Sequence, residues 1–294
     1  MRVTQHSGRV GIARHNDRNF DMTKADHIDP DRSSQNRYWC CEKGVGFEEA
    51  ELHFYEQHYG AAIEATNARY RAAGHPERCR TVKQVLEAPK TRPEEVILQV
   101  GKAGATVDRK TLAGCVNTYM RHMEQWSKDH GGCLHLLSMA LHMDEATPHV
   151  HIRRVWGYTD PETGLERIGQ GRALKEAGIE LPEPQKPQGR FNNRKMTFDR
   201  EMRDFWQRVC KSHGLEIETE PASGKRHLAT VEYKVQEAER QLVNITDERD
   251  AARREVQQLR KQAIRQQEQL QQLPDFLRKG LRSQQARKDL DLER

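Results

Sequence analysis

Residues Leu134–Trp156, LHLLSMALHMDEATPHVHIRRVW, predict two strands joined by a tight turn. The segment Leu134–Leu141 is apolar enough for a buried strand, and Val150–Trp156 forms the second strand of the pattern. Between them, Asp144–Pro148 supplies turn residues, and Pro148 cannot donate a backbone hydrogen bond to a sheet. The stretch therefore predicts an antiparallel hairpin.

The same hairpin carries three histidines. Side chains two positions apart on a strand share a face, so His149 and His151 project together, and the turn returns His142 toward them. Three neutral imidazoles fill half of a coordination sphere and leave positions for water or substrate. The spacing predicts a divalent-metal site. Ordinary hairpin histidines are one alternative, and a zinc hydrolase with a metal-bound hydroxide is another.

Three motifs in this order resemble one protein family. Residues His142–His151 resemble the third motif of the Mob/Pre (MobV-type) plasmid mobilisation and recombination relaxases, which are His-hydrophobic-His endonucleases. The segment His15-Asn-Asp-Arg18 resembles the first motif, His-Asn-x-Arg, and Ile28–Asn36 resembles the second. With the likeness of residues 205–234 to the end of the catalytic region, the resemblance covers roughly the first 235 residues.

This resemblance implies a site- and strand-specific, metal-dependent DNA relaxase. Such an enzyme nicks and rejoins a plasmid origin of transfer through a covalent protein–DNA intermediate and so initiates conjugative mobilisation. A DNA-binding plasmid recombination or replication-control protein that does not cleave is the alternative. The implied partner is plasmid DNA, single-stranded or in a hairpin at the origin. A conjugation coupling protein is a further candidate partner.

The resemblance also assigns roles within the site. It implies that His15 is the nucleophile and forms a phosphoramidate. A neutral imidazole suits this task at pH 7 better than an un-ionised phenol, because their pKa values are about 6.5 and about 10. His142, His149 and His151 would hold the metal, with Mn²⁺ or Mg²⁺ expected. Glu145 could accept a proton from a ring nitrogen of His15 or of a ligand histidine and so fix its tautomer.

Several basic and aromatic residues are expected to contact DNA. Arg18 lies close to His15 in sequence, and its guanidinium could bind a phosphate through two parallel hydrogen bonds, an exposed loop arginine being the alternative. An aromatic residue in the second motif could stack on bases. The predicted DNA-binding set is Arg18, Arg37, Tyr38, Arg78, Arg80 and Lys83.

Composition sets limits on this interpretation. The 294 residues are 35% hydrophobic and 32% charged, so part of the chain is not expected to form a packed core. The net charge of +5 is too small to prove nucleic-acid binding. Six cysteines without C-x-x-C spacing exclude a zinc knuckle and a disulfide framework. With no signal peptide and no apolar run long enough for a membrane span, the expected location is the cytoplasm.

The predicted fold class is α+β, an antiparallel sheet covered by helices. Strands are expected at residues 2–12 and 95–100, helices at residues 47–73, 112–128 and 198–213, and a loop or lid, or a disordered spacer, at residues 178–189. The family resemblance implies a five-stranded relaxase arrangement. Residues 1–228 are the predicted catalytic domain.

Residues 229–274 predict a long coiled-coil helix, and residues 275–294 a charged tail. Apolar residues from Val231 to Leu273 alternate at spacings of four and three, interrupted at Arg249 and Gln266, and Pro274 ends the pattern. A long helix with one apolar seam cannot bury it alone, so a homodimer is expected. A helix packed on its own catalytic domain is the alternative.

Overall fold

The computed structural model describes residues 1–8, 12–22, 25, 27–102, 105–217, 242, 245, 246, 249 and 252–265. Residues 1–220 form one compact unit and residues 221–294 a second. The first unit is α+β with an antiparallel sheet, so the predicted fold class is confirmed. Its strands are β1 (Val3–Gly8), β2 (Arg37–Cys40), β3 (Glu94–Lys102), β4 (Ala105–Thr106), β5 (Leu134–His142), β6 (His149–Thr159) and β7 (Glu166–Ile168).

Six helices accompany these strands in the described part of that unit. They are α1 (Ala13–Asn16), α2 (Phe47–Ala72), α3 (Val82–Glu87), α4 (Arg109–Asp129), α5 (Gln170–Glu176) and α6 (Arg194–Ser212). Short 3₁₀ turns lie at Pro30–Gln35 and Pro76–Arg78. Side-chain caps explain three of the helix starts, because Thr81, Asp108 and Asn193 each accept a hydrogen bond from a first-turn backbone N–H.

The strands pair in the order β1-β3-β6-β5-β2, and every pairing is antiparallel. This path has the five strands that the resemblance implied. The short strands β4 and β7 extend it by pairing with β3 and β6. The hairpin β5–β6 predicted from the sequence is confirmed, and β6 lies at the centre of the sheet.

The two faces of the sheet have different chemistry. One face carries apolar side chains such as Leu98, Val150 and Ile152, which pack with residues of α4, α5 and α6 in the main core. The other face carries Val155 and Leu137, which pack with Tyr55 and Tyr59 of α2. Alternation along β6 puts His149, His151 and Arg153 on this second face. We call it the α2 face.

A β-bulge in β5 decides which side chains reach the α2 face. Leu136 pairs with Arg154 and Ser138 with Arg153, so Leu137 is the extra residue. Before the bulge His135 lies opposite Val155, and after it Ala140 lies opposite His151 and His142 opposite His149. If Leu137 instead paired regularly with Arg153, every later residue of β5 would shift by one and His142 would project from the other face, because side chains alternate along a strand.

Most predicted elements are present with shifted ends. The helix predicted at residues 47–73 is α2, and that at 112–128 is α4. The strand predicted at residues 2–12 ends at Gly8, and residues 9–11 lie outside the described part. No helix or strand occupies residues 178–189, so the predicted loop is present. The buried amide of Asn192, just after it, donates hydrogen bonds to the loop carbonyls of Glu183, Lys186 and Pro187.

The predicted boundary at residue 228, most of the heptad seam and the tail at residues 275–294 lie outside the described residues. Residues 252–265 of the second unit are helical. Their apolar side chains at Val256, Leu259 and Ile264 are 48%, 56% and 56% exposed. No helix in the described parts of the chain is long and apolar enough to span a bilayer. All six cysteines are free thiols.

Candidate metal centre

Three imidazoles converge on the α2 face where β5 ends and β6 begins. His142 lies directly opposite His149 in the hairpin, and His151 lies two residues farther along β6. One ligand nitrogen from each of the three rings lies within 4.8 Å of the others. The structure thus brings the three predicted ligand residues together. His142 is fully buried, whereas the side chain of His149 retains 13% exposure.

Each imidazole uses one nitrogen to donate a hydrogen bond to the protein. His142 Nε2 lies 2.8 Å from the Asn16 carbonyl oxygen, and His149 Nδ1 lies 2.9 Å from the Thr147 carbonyl oxygen. His151 Nδ1 lies 2.6 Å from Glu95 Oε1. Because carbonyl and carboxylate oxygens only accept, these three nitrogens carry the ring protons. In the neutral rings the other nitrogens therefore present lone pairs.

Those lone pairs suit a bound cation. The Nε2 atoms of His149 and His151 are 2.8 Å apart, and two acceptors at this distance repel unless a proton or a metal ion lies between them. The buried Nδ1 of His142 has no hydrogen-bond partner in the described residues. Burial holds the pKa of His142 at about 2, so its ring stays neutral. This donor set fits a divalent ion bound through imidazole nitrogens.

Glu95 of β3 anchors His151. Besides His151, it accepts hydrogen bonds from Asn16 Nδ2 at 3.1 Å and Arg153 Nη1 at 3.2 Å, and Arg153 is in turn paired with the buried Glu51. Burial opposes ionisation of Glu95, but the hydrogen bond from His151 and the charges around it outweigh burial and hold the carboxyl pKa at about 2. An ionised Glu95 fixes the His151 tautomer that leaves Nε2 free.

Asp144 is the centre of a buried polar network. Its carboxylate accepts from Arg18 Nη2 at 2.7 Å, Ser33 Oγ at 3.0 Å and Asn36 Nδ2 at 2.6 Å. Asn36 also accepts from the Met143 backbone N–H at 2.7 Å. Burial opposes ionisation, but the hydrogen bonds from Arg18 and Asn36 hold the Asp144 pKa well below its usual range. The network joins the three sequence motifs and supports the turn beside the imidazoles.

Arg18 is enclosed by this network. Its side chain is 5% exposed, so the alternative of an exposed loop arginine is wrong. The guanidinium donates to Asp144, to Glu145 Oε1 at 2.9 Å and to the His15 carbonyl at 3.1 Å. Arg18 adopts a left-handed backbone conformation with φ of 59°, which these contacts hold in place. A phosphate contact by Arg18 stays a prediction.

Glu145 faces the imidazoles without a hydrogen bond to them. Its Oε1 lies 3.7 Å from His142 Nδ1, 3.9 Å from His149 Nε2 and 4.0 Å from His15 Nε2. Among the described residues, the carboxylate that accepts from a ligand imidazole is Glu95 and not Glu145. A carboxylate oxygen at these distances, held by Arg18, can serve as a fourth ligand for an ion bound by the three rings.

His15 lies beside the metal centre on α1. Its ring centroid is 6.2 Å from that of His142 and 6.4 Å from that of His151. The side chain is 35% exposed, so a substrate can reach it. Burial and the nearby charge of Arg18 lower the pKa of His15 below its ordinary value. The ring is therefore neutral at pH 7, as a nitrogen nucleophile must be.

Apart from Arg18, the predicted DNA-binding residues fall into two groups. Arg37 and Tyr38 lie on the outermost strand β2, where Tyr38 is 44% exposed and its hydroxyl oxygen accepts from Asn36 Nδ2 at 3.1 Å. The exposed Arg78, Arg80 and Lys83 lie at the start of α3 and before it. Arg78 and Arg80 line a groove of ≈ 900 Å³ together with Tyr59, Tyr70 and Arg167.

We expect Asp144→Ala to lower the free energy of unfolding by about 3 kcal/mol. Breaking a buried ion pair costs about 3–5 kcal/mol, and the lower end applies because Glu145 still pairs with Arg18. Urea unfolding followed by circular dichroism measures the change. Asp31→Ala, at an exposed position, is the control and should stay within about 0.5 kcal/mol of the parent. Equal free energies of unfolding for the two variants would show that the Asp144 network does not stabilise the fold as expected.

Comparison with known proteins gives solved structures but no family profile and no curated protein. The chain is similar to crystal structures of the MobM relaxase domain (MOBV; Mob_Pre), Mn-bound and in complex with plasmid pMV158 oriT DNA. One has 16% identity over 80% of this chain and 99% of the other, with a TM-score of 0.46. Another has 16% identity over 80% and 100%, with a TM-score of 0.47. These structures are of the family that the three sequence motifs resemble.

Proposed function

We propose that this chain is a metal-dependent DNA relaxase, a strand transferase that nicks and rejoins DNA through a covalent intermediate. The observation that carries the proposal is the convergence of three imidazole lone pairs beside a fourth, neutral and accessible histidine. The first three can hold a metal ion, and the fourth can act as a nucleophile. The motif resemblance supplies the substrate, plasmid DNA at an origin of transfer.

In this proposal His15 begins the reaction. A lone pair of its ring attacks the phosphorus at the nick, a nitrogen–phosphorus bond forms, and the bond from phosphorus to the 3′-oxygen breaks. The departing oxygen takes a proton from solvent water and leaves as a 3′-hydroxyl. The 5′-phosphate stays on His15 as a phosphoramidate, so the 3′-hydroxyl can reverse the step without ATP.

The remaining residues hold the reacting groups in place. His142, His149 and His151 would bind Mn²⁺ or Mg²⁺, and Glu145 lies where it can join them. An ion held by these residues would supply positive charge that stabilises the negative charge building up on the phosphate in the transition state. Glu95 keeps His151 in the ligand tautomer, and Arg18 restrains both Glu145 and the backbone of His15.

A nicking assay tests this function. Supercoiled plasmid that carries the cognate origin is incubated with the full-length protein and Mn²⁺ or Mg²⁺, and the products are separated by denaturing electrophoresis. We expect open circles with protein attached to the 5′ end of the nicked strand, and none in the presence of EDTA. DNA binding without a nick would favour the non-cleaving recombination or replication-control protein instead. A nick that leaves no attached protein would favour a metal hydrolase.

We further propose that the C-terminal helix makes the protein a homodimer. The supporting observation is the exposure of apolar seam positions, among them Leu242 at 65% and Leu259 at 56%. Pairing would place two DNA-binding domains on one particle and raise the effective concentration of the second.

We therefore expect the full-length protein to sediment as a dimer at micromolar concentration, and Leu259→Glu to shift it toward monomer. A charge in an apolar seam opposes pairing, whereas Gln257→Glu two residues away on an outer position should leave the dimer intact. Analytical ultracentrifugation distinguishes the two species. A wild-type protein that sediments as a monomer would contradict dimerisation.

A further inference from the structure

A second group of metal-ligating side chains lies on the α2 face, away from the first. It consists of His58 on α2, His135 on β5 and Glu166 on β7, whose nearest donor atoms lie within 4.8 Å of one another. We call it the second cluster. His135 and His142 pair with Val155 and His149, which are six residues apart on β6, so the two groups are separated by about 20 Å at about 3.3 Å per residue. One ion cannot bind to both.

The geometry of the second cluster is fixed by a carboxylate between two rings. Glu166 Oε2 lies 2.8 Å from His58 Nδ1, and Glu166 Oε1 lies 2.5 Å from His135 Nε2. The ring of Phe54 stacks on His58 at a centroid distance of 4.0 Å and lies 5.2 Å from the ring of His135. The side chains of His58, His135 and Glu166 are 36%, 21% and 25% exposed, so an ion can enter from solvent.

A buried hydroxyl without a hydrogen-bond partner in the described part of the chain lies beside the second cluster. Tyr59 is 1% exposed, and its hydroxyl has no hydrogen-bond partner in the described residues. Gly157 of β6 keeps the space open, because a Cβ atom there would lie 2.6 Å from Glu166 Oε1, 3.1 Å from His135 Nε2 and 3.2 Å from the Tyr59 hydroxyl oxygen. A buried hydroxyl without a partner is costly. A water bound to an ion in the second cluster would give it one.

We propose that His58, His135 and Glu166 form a second divalent-metal site, which takes Zn²⁺ or a similar borderline ion. Two imidazoles and one carboxylate provide three ligands, and water completes the coordination sphere beside Tyr59. To bind the ion, the proton on His58 Nδ1 and that on His135 Nε2 move to the other nitrogen of each ring. Glu166 then gives up its two hydrogen bonds and becomes a ligand.

This site has a structural role. Its ligands come from a helix and two strands, so an ion bound there ties α2 to β5 and β7. It lies beside the groove of Arg78 and Arg80, which Tyr59 also lines. An ion that binds only the folded state raises stability by mass action. The second cluster shares no residue with His15 or the first three histidines, so it can bind an ion whatever their roles are.

The test measures zinc stoichiometry and thermal unfolding in a background that lacks the first metal centre. In full-length protein with His149→Ala and His151→Ala, we expect one Zn²⁺ per chain by calorimetric titration, and a higher melting temperature with the ion. Adding Glu166→Gln, which keeps size and hydrogen-bonding capacity but removes the ionised ligand, should weaken binding at least tenfold and cancel the shift. His53→Ala is the control, because His53 pairs with Glu42 at 2.8 Å but is absent from the three-ligand clusters found in the described residues.

A second measurement avoids the double substitution. Wild-type protein dialysed against Zn²⁺ should retain two ions per chain by elemental analysis, and Glu166→Gln alone should retain one and still nick DNA. One ion in both proteins, or no zinc binding in the double-alanine background, would overturn the second site. In that case Glu166 only bridges two imidazoles by hydrogen bonds. Loss of nicking in the His149 and His151 variants alone would leave this conclusion unaffected.

Discussion

Replacing His149 or His151 with alanine should abolish metal-dependent nicking. Each change removes a ligand nitrogen from the converging set, and His151→Ala also leaves the ionised Glu95 without its imidazole partner. Metal ions contribute several kcal/mol of transition-state stabilisation, so we expect a loss of about a thousandfold or more in the single-turnover rate. Binding of single-stranded DNA should remain mostly intact, since phosphate contacts supply most of the affinity.

The matched control for this prediction is His53→Ala. His53 is also a histidine paired with a carboxylate, but it lies on the outer part of α2 with its side chain 38% exposed. Its removal should leave the nicking rate within about twofold, because His53 lies outside the metal centre. The exposed pair with Glu42 also contributes only about 0–1 kcal/mol to folding stability. Full nicking activity in either His149 or His151 variant would remove these residues from the metal centre.

Replacing His15 with alanine should leave no covalent protein–DNA adduct. The ring is an accessible imidazole beside the metal centre, and its pKa lies below the ordinary value because of burial and the charge of Arg18. Denaturing gels of protein incubated with origin DNA measure the adduct. The wild-type adduct should be labile in acid and stable in alkali, as a phosphoramidate is.

Tyr38→Phe is the control for the nucleophile. Tyr38 is a half-buried tyrosine tied to the Asn36 and Asp144 network, and its partial burial raises its pKa, which disfavours the ionised phenol that would attack phosphorus. We expect its adduct yield to match that of the wild type. An adduct in His15→Ala that disappears in Tyr38→Phe would establish a tyrosine mechanism.

The hairpin and its three histidines were predictable because they depend on local geometry. The apolar runs that flank a turn and the two-residue period of a strand place His149 and His151 on one face without any information from the rest of the chain. The position of His142 depends on more than this period. The bulge at Leu137 brings it to the α2 face, and an apolar run such as Leu134–Leu141 gives no sign of where an extra residue lies.

Glu95 and the role of Asp144 were missed because they depend on distant pairing. Glu95 reaches His151 through the register of β3 against β6, a contact between residues 56 positions apart. Aspartate is common in turns, so the sequence suggested only a turn role for Asp144. In the structure its carboxylate accepts hydrogen bonds from Arg18, Ser33 and Asn36 of the two other motifs. Each of the other two motifs does contain polar side chains, Arg18 in the first and Ser33 and Asn36 in the second, that a buried carboxylate could accept hydrogen bonds from.

Peptide mapping of the covalent adduct identifies the nucleophile directly. Full-length protein is incubated with Mn²⁺ and a single-stranded oligonucleotide that spans the cognate nick site, then digested and analysed by mass spectrometry under alkaline conditions. We expect one modified peptide, with the 5′-phosphate of the cleaved strand on His15, and no adduct when the metal is chelated. Cleavage without any adduct, or a phosphate on a tyrosine such as Tyr38, would contradict it.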